Sequence, residues 1–273
     1  MKKISTNILK LKYIEGPWGI LGFPYNSTDI QVKKTISGYL SEVFGLNSID
    51  YVYKKYIKNQ NIEKLSSKFD YNLADSTNEI SNYLSDFIKD IRLLEKPDIP
   101  SLFTASVAFF RLENTFNAVL LCIRTGLFAE AFMLERIILE QIAWIYQVHN
   151  YNGDFFKLIP SMSISSIKKI FPESGRLYGI LSDFTHIDPK LNWSFVNNEN
   201  NADALLIMYN SKLLIWSLKI VLDLLDMYCI VGETIYKDLI SDYKHINEAD
   251  DSFKENRKTL ILKNDICRKF NIK

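Results

Sequence analysis

Residues 124–147 read RTGLFAEAFMLERIILEQIAWIYQ, and how this stretch is read decides the fold. Its apolar residues predict a long helix over about 127–149. Inside that apolar run Arg136 and Glu140 stand one turn apart, on a face shared with Gln147 and the small residues Ala129 and Ala143. Burying ionised side chains costs free energy unless they are paired. The stretch therefore encodes one of two things. Either an ion pair fixes helix register, or Glu140 holds a guanidinium whose other donors take a phosphate or carboxylate. Glu130 and Glu135 face elsewhere and are expected to be solvated.

Upstream, a helix is predicted from Pro100, which suits a first turn, to Thr125, with Gly126 as its stop. The link to the next helix is so short that the two must be antiparallel neighbours, an αα-hairpin. This first helix carries Arg111, Asn114, Asn117 and Arg124 among apolar residues. If the partner helix faces them, Arg111 or Arg124 meets Glu140, and cations in excess leave a pocket for an anion. The plainer role for Arg124 is to neutralise the helix C-terminus.

Downstream, residues 154–174 hold Pro160, Pro172 and several serines and predict short or irregular helix. Residues 175–189 then read GRLYGILSDFTHIDP and place Tyr178, Ser182 and His186 at successive turns. His186 falls at the helix end with Asp183 and Asp188 near in sequence, and is a candidate to donate or accept a proton. The plainer role is a cap that bonds the last carbonyls. Ser182 and Tyr178 are candidate ligand contacts. Ser182 lacks the glycines of a nucleophile elbow, so serine hydrolysis is not indicated.

The run from 202 to 236 is apolar enough to raise a membrane question. Its charges Lys212, Lys219, Asp223, Asp226 and Glu233 fall in one narrow stripe at about 100° per residue, which argues for a helix with one wet edge and against a membrane span. The rest of its circumference must be covered by other helices or by a second subunit. Residues 237–273 turn polar and basic. At the other end, residues 4–24 suggest a small strand or hairpin. A helix is expected over about 27–45, capped by Ser27 or Thr28, with Ile36, Tyr39, Leu40, Val43 and Phe44 on one face. One or two short helices follow over 49–68, and another helix over 76–94 opens on a capping box of Ser76 and Glu79. The stretch YVYKKYIKNQ at 51–60 interleaves tyrosines and lysines, as a single-strand binder or a solvated amphipathic helix would.

Composition narrows the classes. Ten Gly and seven Pro in 273 residues are few, as long helices require. A net charge of +1 gives no global field toward nucleic acid or anionic membrane. The three cysteines are odd in number and widely spaced, which suits reduced thiols in a cytoplasmic protein rather than disulfides or zinc. The start has no sustained apolar run and no small-residue cleavage site, so no signal peptide is read there. His149, His186 and His245 have no metal-ligand spacing and no Gly-rich phosphate loop is present, so neither metal nor cofactor is expected.

A long helix with Arg136 and Glu140, followed by LYGILSDFTH from Leu177 to His186, resembles a group of bacterial proteins that are similar to the HEPN superfamily of all-α domains. The resemblance spans about residues 100–236. It implies an all-α, HEPN-like helical bundle over 99–236; a helical N-terminal region with a short extended segment over 1–98 precedes it, and the polar, basic segment 237–273 follows. It also implies a place in antiviral defence or stress response, a homodimer, and a protein partner or RNA. HEPN ribonucleases pair an Arg with a His a few residues later in the same helix and cleave RNA without metal. By resemblance His186 is that His, but Gly179, Ile180 and Leu181 stand where the Arg belongs. Arg176 is ten residues away, about 15 Å along the axis. Arg136, or Arg124, is then the surrogate. Two functions follow as expectations. One is a module that binds a protein partner, a nucleotide or nucleic acid. The other is a metal-independent ribonuclease in which His186 moves the proton, Arg136 stabilises the anion and Glu140 orients Arg136.

Overall fold

The computed structural model describes residues 11–16, 19–24, 27–43, 45–46, 48–60, 68–149, 151–186, 211–250 and 252–271. The chain is all-α in class, and the one sheet among these residues is a two-stranded hairpin. It divides into two compact units, Met1–Glu79 and Ile80–Lys273. The division precedes the boundary at 98/99 read from sequence.

In the first unit β1 (Leu11–Gly16) and β2 (Gly19–Pro24) run antiparallel, with Leu11 opposite Pro24. Helix α1 (Asp29–Val43) is capped by Thr28. The Thr28 amide donates to Gln31 Oε1 at 2.8 Å and the Gln31 amide to Thr28 Oγ1 at 3.4 Å, a reciprocal cap. Val32 and Ile36 of α1 close on Ile14 and Phe23 of the hairpin and on Ile57. Val43, expected on that face, is exposed, and Phe44 lies outside the described residues. After α1, Gly45 takes a φ of 59°, the left-handed conformation that stops helices on glycine. The short α2 (Ile49–Val52) continues into a π turn over Tyr53–Ile57.

Helix α3 (Lys68–Arg92) starts well before the predicted capping box. Ser76 and Thr77 are fully buried in its interior, and the Thr77 hydroxyl bonds back to Leu73 O at 2.8 Å. The reason is that Leu73 already lies in phase with Ile80 and Leu84, so burial carries the helix through a sequence that would cap it in isolation.

The second unit is built on the predicted hairpin of α4 (Pro100–Thr125) and α5 (Phe128–His149). Gly126, at φ 77°, joins them while the Leu127 amide donates to Cys122 O at 2.9 Å. Helices α6 (Ile164–Ile167), α7 (Ser174–Thr185) and α8 (Ser211–Ile235) pack against α5 together with α4. Between α4 and α8 the rings of Phe109 and Tyr228 stack at 4.2 Å, and the Tyr228 hydroxyl donates to Phe109 O at 2.9 Å. A β-carbon on Gly232 would lie 2.8 Å from the Phe109 ring, so only glycine lets α8 come this close. Helix α4 is the one helix among the described residues long and apolar enough to cross a membrane. Its Phe109, Phe116 and Leu120 are fully buried, as in the core helix of a bundle.

Two sequence readings are corrected here. The charged stripe of α8 is a wet edge only in part: Lys212 is exposed, but residues 243–250 and 252–263 fold back over the stretch from Asp223 to Glu233. Arg257 grips Asp226 with two bonds of 2.7 Å, and Lys263 pairs with Asp223. Glu233, 1% exposed, accepts from the amides of Lys244, His245 and Ile246 at 2.8, 2.9 and 3.0 Å and bonds His245 Nδ1 at 2.7 Å. Burial works against its charge, but these donors outweigh it and hold its pKa below the usual carboxylate value. The basic segment thus complements an acidic stripe, and α9 (Lys258–Lys269) packs on α8. The apolar circumference of α8 is buried within the chain at Leu214, Leu218, Val221, Leu225 and Tyr228, while Trp216 is exposed.

The second correction is Glu135, which is fully buried rather than solvated. It accepts from the Ser217 hydroxyl of α8 at 2.5 Å, and its other oxygen has no partner among the described residues. Burial raises its pKa well above the usual value, and the Ser217 bond only partly opposes this. The folded state therefore keeps a proton that the unfolded chain releases at lower pH. The stability this gives is complete below the unfolded pKa and declines as pH rises toward the folded one. Glu135→Gln removes that titration. As pH rises above the ordinary carboxylate range, urea unfolding should show the variant gaining on the parent. A difference that does not change with pH would show that Glu135 is ionised in the fold.

Candidate functional site

The site lies where α7 meets α5. Phe132 of α5 and Phe184 of α7 stack at 4.1 Å, and Leu181 is fully buried. That apolar contact fixes α7 against α5 and leaves Tyr178 and Thr185 facing Arg136, one turn beyond Phe132. His186 is the residue that ends α7, its amide donating to Ser182 O at 2.9 Å.

Arg136 is the centre of the cluster. Its Nε donates to Glu140 Oε1 at 3.1 Å, Nη1 donates to Thr185 Oγ1 at 2.7 Å, and Nη2 donates to the Tyr178 hydroxyl at 2.9 Å. Nη1 also lies 3.2 Å from His186 Nε2. Arginine can only donate, so in this contact His186 accepts and carries its proton on Nδ1. The guanidinium carbon stands 5.1 Å from the Tyr178 ring centre, within cation–π range. Partial burial works against the charge of Arg136, but Tyr178 and Glu140 outweigh it and raise its pKa.

Four of the five guanidinium N–H groups have partners in this arrangement, and one on Nη2 is left. Glu140 holds the Nε edge, so the opposite edge, Nη1 and Nη2, carries the reactive capacity. If exposed His186 swings aside, that edge offers two donors to one anion, the geometry in which Arg binds phosphate and carboxylate best. His186 would then stand beside the anion, able to exchange a proton with it.

The structure thus brings together Arg136, Glu140, Tyr178 and His186. Ser182 lies on the same face of α7, but its hydroxyl is enclosed and unpartnered among the described residues, so it is not presented to a ligand. Arg111 is exposed on α4 and makes no hydrogen bond or ion pair among the described residues, and Arg124 occupies the last turn of α4. Neither supplies a contact of the cluster described above. Sequence reading missed Thr185, whose only signal was its place beside His186. It also missed Met133 and Ile137, exposed apolar residues on either side of Arg136 along α5. Among the described residues no group of three His, Cys, Asp or Glu is arranged to hold a metal ion. Away from the cluster, a cavity of about 250 Å³ is lined by Phe87, Ile91, Glu233 and the Lys244–Asp90 pair.

With side chains of Arg136 and Glu140 each about one-fifth exposed, the pair is half-way between a surface and a buried bridge. Glu140→Leu should therefore cost about 1–3 kcal/mol in urea unfolding, less than for a fully buried pair. A cost below about 0.3 kcal/mol would mean that Glu140 does not hold Arg136 in solution.

No family model matches this chain, and neither the curated proteins nor the solved structures contain a significant match to it.

Proposed function

We propose that the protein is a HEPN-like helical module of a bacterial defence or stress-response system, which binds a phosphate-bearing ligand, a nucleotide or a single phosphate of RNA, between Arg136 and His186. The observation that carries this reading is the 3.2 Å contact between Arg136 Nη1 and His186 Nε2. Two groups that can each bear positive charge face one another on the solvent side, and the one carboxylate bonded to the guanidinium is on its far edge. An anion placed between them is the natural partner of both. Met133 and Ile137 add an apolar flank that suits a base. A net charge of +1, with Glu140 and Asp183 close by, favours one bound phosphate over a long electrostatic track. The homodimer and the protein partner belong to the proposal on the family resemblance alone.

Calorimetric titration with ATP, uridine monophosphate and inorganic phosphate tests the reading. A nucleotide should bind more tightly than phosphate, and Arg136→Ala should weaken binding at least tenfold. Arg136→Lys should not restore it, because a lysine cannot make the two-pronged contact. Equal binding by parent and Arg136→Ala would overturn the site.

A second reading, metal-independent RNA cleavage, is favoured by the same contact, because α5 supplies the arginine that Gly179, Ile180 and Leu181 of α7 do not. In that case His186 moves the proton and Arg136 stabilises the anionic transition state. Cleavage should persist in EDTA and vanish in folded His186→Ala, with Arg136→Ala losing about 10²–10³ in rate. Intact RNA across a broad panel, or undiminished cutting by His186→Ala, leaves the binding module as the function.

A further inference from the structure

The first unit carries a surface unrelated to Arg136. In a regular α-helix, residues five apart point about 140° away from one another, so Tyr51 and Tyr56 would not meet. Here the helix widens. The Lys58 amide donates to Tyr53 O at 2.7 Å, an i→i−5 bond, and a π turn brings residues five apart back to one face. Two pairs show the effect. Val52 and Ile57 are both buried, while Tyr51 and Tyr56 are both exposed, at 41% and 45%. The tyrosine rings stand edge to face with centres 6.3 Å apart. Lys55 lies between them, 5.1 and 5.2 Å from the two ring centres, and donates to the Tyr51 hydroxyl at 2.7 Å. The turn is tied down from α1, where Lys33 donates to Lys58 O at 3.1 Å.

A π turn gives up regular helical hydrogen bonding, and such turns concentrate at functional sites. What this one exposes is two aromatic rings set among Lys54, Lys55 and Lys58. None of these lysines makes an ion pair among the described residues, and residues 48–60 hold a single carboxylate, Asp50. Two exposed rings set edge to face, with Lys55 over both and Lys54 and Lys58 alongside, match the unstacked bases and backbone of a single strand. They do not match a duplex, whose bases are already stacked. We propose that Tyr51 and Tyr56, aligned by the π turn and flanked by Lys54, Lys55 and Lys58, form a stacking platform for single-stranded nucleic acid. The tyrosines take two bases, and the lysines neutralise the adjoining phosphates.

Fluorescence anisotropy on the full chain, with labelled uridine-rich RNA, thymidine-rich DNA and an RNA duplex of equal length, tests this at low and moderate salt. Both single strands should bind and the duplex should not, since stacking and phosphate contacts do not depend on the sugar. The double variant Tyr51→Ala/Tyr56→Ala should weaken single-strand binding about tenfold or more, while Tyr51→Phe/Tyr56→Phe should retain it. Because Tyr51 packs with Lys55, circular dichroism should establish that the alanine variant is folded. If it is not, Tyr51→Gln/Tyr56→Gln takes its place. Replacing Lys54, Lys55 and Lys58 with Gln should flatten the slope of log affinity against log salt by about two. Lys157→Ala, which removes an exposed cation outside both sites, should leave this binding within twofold. Absence of single-strand binding at low salt, or equal binding by the folded ring-deleted variant, overturns the platform. Loss in Arg136→Ala alone overturns it too, and assigns the strand to the α5–α7 cluster instead.

Discussion

Helix α5 is enclosed by α4, α6, α7 and α8, and that enclosure fixes how it is rotated about its own axis. Glu135 and Arg136 are neighbours in sequence, so they point about 100° apart. One is sealed against Ser217 of α8, and the other reaches the solvent edge beside α7. A rotation of one residue would drive a guanidinium into the core. Burial raises the pKa of the Glu135 carboxyl and favours its neutral form, a route that arginine does not have. The placement of every group around Arg136 follows from this.

The hairpin, α7 and the cluster on Arg136 were legible because their signals are local. Gly126 marks a helix end, the short link forces an antiparallel pair, and polar groups on otherwise apolar faces need one another. Glu135 was misread although its position is in step with Ala131, Ile138 and Ile142 on the buried stripe. An acidic side chain reads as solvated, and in the fold its helical phase prevails. The fate of Asp226 and Glu233 could not be read at all, since their partners are Arg257 and His245, far along the chain. Ser76 failed for a related reason: a capping motif reports only on the residues within it. The π turn of residues 53–57 left no recognisable mark in a sequence that also reads as an ordinary amphipathic helix.

Arg136 combines a fixed and an adjustable half. Glu140, on the same helix, and Tyr178, one side of α7, hold the guanidinium in place. The contact that closes its outer edge comes from His186, which is exposed and stands at the helix end, where backbone restraint is weakest. Recognition would then require little change in α5 and a small displacement at the end of α7. Such an arrangement keeps the recognition group ordered before the ligand arrives, which limits the entropy lost on binding.

The fold-back of residues 243–250 and 252–263 over α8 also bears on the order of events during synthesis. Helix α8 leaves the ribosome before the residues that answer its acidic edge. Until they emerge, Asp226 and Glu233 have only water as partner, and burying that edge would strand two carboxylates. Residues that answer this edge are thus translated before the second unit can seal its interior. A nascent chain halted short of Arg257 would hold α8 on one side only, its unfinished edge open to chaperones and proteases.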